Sequence, residues 1–224
     1  MLQDTGRVIL RCPGATVNNP KKSLCLPLLL ALTFTAGTAP AGAEEDEEPP
    51  GWPPEDTGGR YVPVPPEYYE PVDFAACGST VTMTSGDVRE VEQKVRVRSD
   101  GRIVITYRGG ATVDLFRASD EAFIDELNVS GRGSERYSAD QTELSVSLRG
   151  PSIIWPVSAA DTAALTAAGF PESFYFERGH LTIDVEFSGD PAVVDPIAVE
   201  VTRNTTRDLK DVCEMLDEAA EAAS

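Results

Sequence analysis

The chain has 224 residues, with 37 Asp+Glu against 19 Lys+Arg, one His and four Cys, and a formal net charge of −18. That length holds one or two domains, and a hydrophobic content of 41% is enough to bury one sizeable core. So acidic a balance argues against nucleic acid and anionic lipid headgroups as partners, because both are met by clustered Lys and Arg.

Lys21 and Lys22 precede an apolar run from Leu24 to Ala36, which ends in the small residues Ala41-Gly42-Ala43. This is the pattern of a secretory signal, and it predicts export with cleavage after Ala43. The run is broken by Pro27 and falls short of the roughly 20 apolar residues that a membrane-spanning helix needs. No other segment is apolar enough, so the exported chain is not expected to be an integral membrane protein. Asp4 and the length of the segment before Lys21 are unusual for a signal; translation from Val17 would leave one of ordinary size. Cleavage leaves 181 residues with 15 bases and 36 acids, a charge of −21.

Cys12 and Cys25 depart with the signal, leaving Cys77 and Cys213. An even pair in an exported chain predicts a disulfide that ties the two ends of the domain together. Phe74-Ala75-Ala76-Cys77 imitates the end of a lipobox, but Glu67, Glu70 and Asp73 stand where that motif needs an apolar run.

From Glu44 to Asp73 there are ten acids, one base and eight of the 17 prolines, without hydrophobic periodicity. The composition predicts a disordered or extended acidic leader over residues 44–73 that could be removed without loss of the fold. Trp52, Tyr61, Tyr68 and Tyr69 are its candidate docking points. A single β-rich domain is then expected over 74–216, followed by an acidic tail over 217–224.

Within that domain, Leu144, Val146 and Leu148 alternate with polar residues, as do Leu181, Ile183, Val185 and Phe187, and Ile197, Val199 and Val201. Period-two alternation predicts strands with one wet face. Further strands are expected over 80–84, 88–98, 102–108, 112–116, 123–129 and 152–157. Ser99-Asp100-Gly101 is a hairpin signal, and Gly109-Gly110 punctuates the next pair. Short connections predict an antiparallel meander forming a curved sheet, closed or half-closed into a barrel. Ser158 with Asp161 starts a short helix that Gly169-Phe170-Pro171 stops, and Thr205 with Asp208 starts a C-terminal one. In the latter, Leu209, Val212, Cys213 and Leu216 form one apolar stripe that carries the disulfide cysteine.

Phe74-Ala75-Ala76-Cys77-Gly78, the run from Val81 to Val88, Ala111 to Leu115, and Gly150 to Pro156 resemble small secreted proteins of high-GC actinobacteria that have no assigned function. Fifteen Arg against four Lys fits a high-GC coding sequence. The resemblance covers about Phe74 to Cys213; it implies export and a shared fold, and supplies no catalytic residue.

Reagents for chemistry are scarce. His180, the sole histidine, shares strand parity with Thr182, Asp184 and Glu186, which predicts an exposed position on the polar face rather than a catalytic base. With both remaining cysteines in a disulfide, thiolate catalysis and the usual zinc sites lack ligands. The spacing of Asp184, Glu186, Ser188, Asp190 and Asp195 imitates a calcium loop, but it begins in a strand and Pro191 interrupts it. Asp120, Glu121, Asp125 and Glu126 form a second acidic cluster, whose plainer reading is a solvated loop. Of 26 acids after residue 73, some pair will lie close by chance, so a glycosidase reading has no specificity. No catalytic, cofactor or metal residue is therefore assigned. The sequence leads to an exported, non-catalytic domain, secreted or held at the cell wall, with an interaction or structural role. A carrier for a small apolar ligand or lipid is the alternative, and a carboxylate-dependent hydrolase is a weaker third.

Overall fold

A computed structural model describes residues 54–190, 193 and 195–223; the signal and residues 44–53 of the leader, with Trp52, lie outside the described residues. In chain order the first strands are β1 (Val62–Pro63), β2 (Val72–Ala76), β3 (Ser79–Arg89), β4 (Glu92–Val97) and β5 (Ile103–Arg108). There follow β6 (Ala111–Arg117), β7 (Ala122–Asn128), β8 (Arg132–Tyr137), β9 (Glu143–Arg149), β10 (Ser152–Ile154) and helix α1 (Ala159–Ala167). The chain ends with β11 (Phe174–Arg178), β12 (His180–Glu186), β13 (Ala198–Asn204), β14 (Arg207–Asp211) and helix α2 (Val212–Ala223).

All pairings are antiparallel. They build a seven-stranded sheet in the order β1-β4-β5-β8-β9-β12-β13, a four-stranded sheet β2-β3-β6-β7 and a three-stranded sheet β10-β11-β14. The fold is mainly β, with curved sheets, one inserted helix and a C-terminal helix tied down by a disulfide; among the described residues no sheet closes into a barrel. Hairpins such as β4–β5 and β8–β9 keep the local pairing of a meander, while β6 and β7 leave to build the second sheet.

Turn chemistry accounts for several of these connections. Cys77 and Gly78 form the two-residue loop between Ala76 and its partner Ser79, and both have positive φ, as the tightest hairpins require. Gly101, at φ +87°, closes the Ser99-Asp100-Gly101 turn. Gly109-Gly110 does not turn a hairpin; it carries the chain from β5 in one sheet to β6 in the other. The passage is so close that a Cβ on Gly109 would lie 2.0 Å from the carbonyl oxygen of Glu90.

Two cores result. Inward residues of the seven-stranded sheet, among them Val95, Ile105, Leu144, Val146 and Leu181, pack with Leu165 of α1 and with Phe174 and Phe176 of β11. Val81, Leu115 and Phe74 of the four-stranded sheet pack with Val212 and Leu216 of α2. Strand β10 joins the cores through its pleat, since Ile154 enters the first and Ile153 the second. Ser158 caps α1 by accepting from the Asp161 amide at 3.1 Å, as its sequence signature predicts.

The domain extends past both expected ends. Residues 57–76 belong to the fold: Val64 and Val72 are buried, β2 pairs along β3, and β1 pairs with β4. The Tyr69 hydroxyl accepts from the Val91 amide at 3.0 Å, and Tyr68 lies 5.9 Å from Tyr107, ring to ring. Composition misplaces this boundary because a few apolar side chains at strand spacing suffice once a sheet edge is present to receive them. At the other end, 207–211 is strand β14 rather than helix, and Leu209 is partly exposed. The α2 helix begins at Val212, where Asp211 accepts from the Cys213 amide at 2.7 Å, and it runs through the supposed tail to Ala223. Arg117 on β6, itself buried, clamps it with 2.6 Å ion pairs to Asp217 and to Asp120.

Candidate functional site

Cys77 and Cys213 are bonded, with Cα atoms 5.3 Å apart, and close a separation of 136 residues. Such a bond fits an oxidising compartment. No helix among the described residues is long and apolar enough to cross a membrane.

The outward face of the seven-stranded sheet collects the polar residues of every alternating strand. Register places Glu92, Arg108, Arg132, Arg149 and His180 in one row across β4, β5, β8, β9 and β12. The next row reads Lys94, Thr106, Ser134, Ser147, Thr182 and Arg203, and the third Arg96, Val104, Arg136, Ser145, Asp184 and Glu200. Seven of the 15 bases that follow Ala43 therefore share one face. Arg108 is paired with Glu92 at 2.8 Å, and its guanidinium and the Lys94 ammonium lie over the Tyr61 ring at 3.7 and 4.7 Å. Arg96, Arg132, Arg136, Arg149 and Arg203 make no ion pair among the described residues. Carboxylates share this face, and Glu143, Asp184, Glu186 and Glu200 line one groove together with Arg136.

His180 stands on this face as strand parity predicts, half-buried and with Nε2 2.5 Å from the Ser147 hydroxyl. Thirty-three residues separate the two, and only the pairing of β9 with β12 brings them together. Burial, then Arg203, Arg149 and Arg136, hold the imidazole below its ordinary pKa. Among the described residues no carboxylate hydrogen-bonds to the ring, so the pair lacks the group that orients a catalytic histidine. What the arrangement can do is present guanidinium groups and hydroxyls to an anion.

A second feature lies inside. A cleft of about 120 Å³ opens between the sheets, lined by Tyr68, Val72, Met83, Tyr107, Ile153 and Trp155 among others. The indole nitrogen of Trp155 is buried without a hydrogen-bond partner among the described residues, and its ring stacks on Phe74 at 5.2 Å. Beside the cleft, Glu135 is buried on β8 and accepts from the Tyr137 hydroxyl at 2.7 Å. Burial raises its carboxyl above the ordinary range against the hydrogen bonds from Tyr137 and Tyr107. Burial, reinforced by Glu135, pushes the Tyr68 hydroxyl up to about 12.

Of the acidic residues weighed for calcium, Asp184 and Glu186 stand on β12, and Ser188 accepts from the Asp190 amide in the turn that follows. The second cluster is regrouped: Asp125 and Glu126 meet Asp114, whereas Asp120 turns to Arg117. Glu126 accepts from Thr112 and from the Asp87 amide, and Asp114 accepts from the Glu126 amide at 2.9 Å, so local bonds hold these carboxylates in place. Comparison with protein-family models, with curated proteins and with solved structures gives no match.

Proposed function

We propose that this is an exported, non-catalytic binding domain whose basic sheet face docks an acidic polypeptide segment. One observation carries the reading: in a chain of net charge −18, five arginines without ion pairs share one face with Thr106, Ser134, Ser147 and Thr182. Guanidinium forks and hydroxyls are donors that match carboxylates. A short acidic segment is favoured over a long phosphate polymer because the overall charge repels any anion that reaches beyond the patch. Export is supported by the signal pattern and by the disulfide. The test is the anisotropy of fluorescein-labelled hexaglutamate at low salt. Binding that weakens with salt, and at least about tenfold in the double variant Arg136→Ser with Arg149→Ser, is expected from the loss of two of five charge-assisted contacts. Affinity that ignores both salt and the substitutions overturns the proposal.

The cleft between the sheets supports a second reading, a site for a small apolar ligand. Its volume of about 120 Å³ is close to that of cavities that take a single aromatic ring, about 150 Å³, and well short of a lipid. Native mass spectrometry of the purified protein checks it; a bound ring-sized molecule supports a carrier, and a bare mass removes the reading.

A further inference from the structure

The cleft between the sheets is apolar within and charged at its mouth. Val72 and Ile153 are buried in its wall, whereas the charged residues that line it among the described residues, Glu70, Arg108 and Arg132, are all exposed. Leu148, Ile153 and Trp155 also line a smaller cavity of about 40 Å³, so these three side chains form a partition at which the cleft ends. At about 120 Å³ it holds one ring and leaves a substituent of that ring at the mouth. The wall is preformed, and its hydroxyls are engaged elsewhere. Tyr69 is fixed twice, since its hydroxyl accepts from the Val91 amide at 3.0 Å and its carbonyl accepts from the Ser85 hydroxyl at 3.0 Å. The Tyr107 hydroxyl donates to Glu135, and Trp155 is held by its stack on Phe74. What Tyr107 and Trp155 offer a ligand is therefore ring surface, which another aromatic ring meets offset or edge-on, and the Met83 thioether adds a soft contact to it.

We propose, on the reading of this cleft as a site for a small apolar ligand, that it takes an aromatic monocarboxylate, with the ring inside against Tyr107 and Trp155 and the carboxylate on Arg132. The charges at the mouth are unequal. Arg108 is held by Glu92 at 2.8 Å and lies over the Tyr61 ring. Arg132 is the first residue of β8, at the border between the outward face and the cleft, and it makes no ion pair among the described residues; nor does Glu70. Register sets Arg132 directly opposite Arg149, and like charges so placed repel each other until an anion joins them. A guanidinium meets a carboxylate with two parallel donors, a geometry that Glu70 cannot return to an ammonium. The mouth therefore selects an anion, and the aromatic wall selects the body that carries it.

The experiment is an NMR titration of the exported chain with three probes that share one ring: phenylacetate, its neutral isostere phenylacetamide, and benzylamine, whose charge would suit Glu70. Each probe's entry is read from the methyl signals of Met83 and Ile153, which line the cleft. Phenylacetate should bind at least about tenfold more tightly than phenylacetamide, the margin of a charge-assisted pair over a neutral hydrogen bond, and benzylamine should bind more weakly than either. Arg132→Gln should erase the preference for the acid, whereas Arg98→Gln, which removes the same charge at the turn between β4 and β5, should keep it. Equal affinity for acid and amide, a preference that survives Arg132→Gln or is lost equally in Arg98→Gln, or tighter binding of benzylamine overturns the carboxylate assignment and leaves the cleft as a site for an apolar ring. If none of the three probes shifts the Met83 and Ile153 signals, no ring enters, and the reading of the cleft falls as well.

Discussion

Strand β8 shows the two faces of the seven-stranded sheet side by side. Arg132, Ser134 and Arg136 point outward, while Gly133, Glu135 and Tyr137 point into the protein. Arg136 stands exposed without an ion pair, and Glu135, its immediate neighbour, is buried under tyrosine hydroxyls with its carboxyl pushed toward the neutral form. The outward face has arginines that make no ion pair among the described residues, whereas Glu135 on the inward face has its hydrogen bond answered by Tyr137. Strand parity separates a solvent-facing surface from the core, and residues adjacent in sequence fall on opposite sides of that line.

Substitutions should divide along the same line. The largest loss is expected beneath the inward face: Cys213→Ser opens a loop of 136 residues, about 5 kcal/mol in the chain-entropy account, and should lower Tm by more than about 10 °C in a scan without reductant. Phe174→Ala empties a fully buried site at the centre of the first core and should lose about 3–5 kcal/mol in urea unfolding. Its outward counterpart Arg149→Ser should stay within about 0.5 kcal/mol of the native protein. A comparable loss from Arg149→Ser would mean that the outward face also holds the fold together.

A smaller effect tests the strap over 57–76. Tyr69→Phe leaves the Val91 amide without its acceptor and should lose about 1–2 kcal/mol, whereas a solvated leader would show no change.

The smallest effect is a change in pH dependence. Glu135 has a folded pKa above its ordinary value of 4.5, chiefly through burial, so the folded state holds its proton where the unfolded state has released it. Stability from this group is complete below about pH 4.5 and is lost as pH rises through the folded value. Glu135→Gln should therefore match the native protein in acid and exceed it at pH 8 by urea unfolding. A native protein that gains on the variant as pH rises would mean that the carboxylate is stabilised as an anion.

Much of this architecture can be read from local pattern. The strands around Leu144 and Leu181, the Ser158 cap and the Asp-Gly turn follow from spacing and turn chemistry that act over a few residues. The disulfide follows from the count of cysteines left after the signal. Residues 62–76 defeat the same method, since Val64, Val72 and Tyr69 are sparse among prolines and acids and are held by β3, β4 and Val91, partners distant in sequence. The C-terminal apolar stripe fits a helix, but β11 offered Leu209 a strand partner and moved the helix start to Val212.

The candidate site divides in the same way. Alternation alone puts His180 and each arginine on a wet face, because side-chain direction in a strand depends on nothing but parity. Which of them stand together is decided by register among β4, β5, β8, β9 and β12, where a shift of one residue would turn a strand's charges inward. Net charge is a sum over the chain and contains no positions. Only the assembled sheet brings seven of the 15 bases that follow Ala43 onto one face.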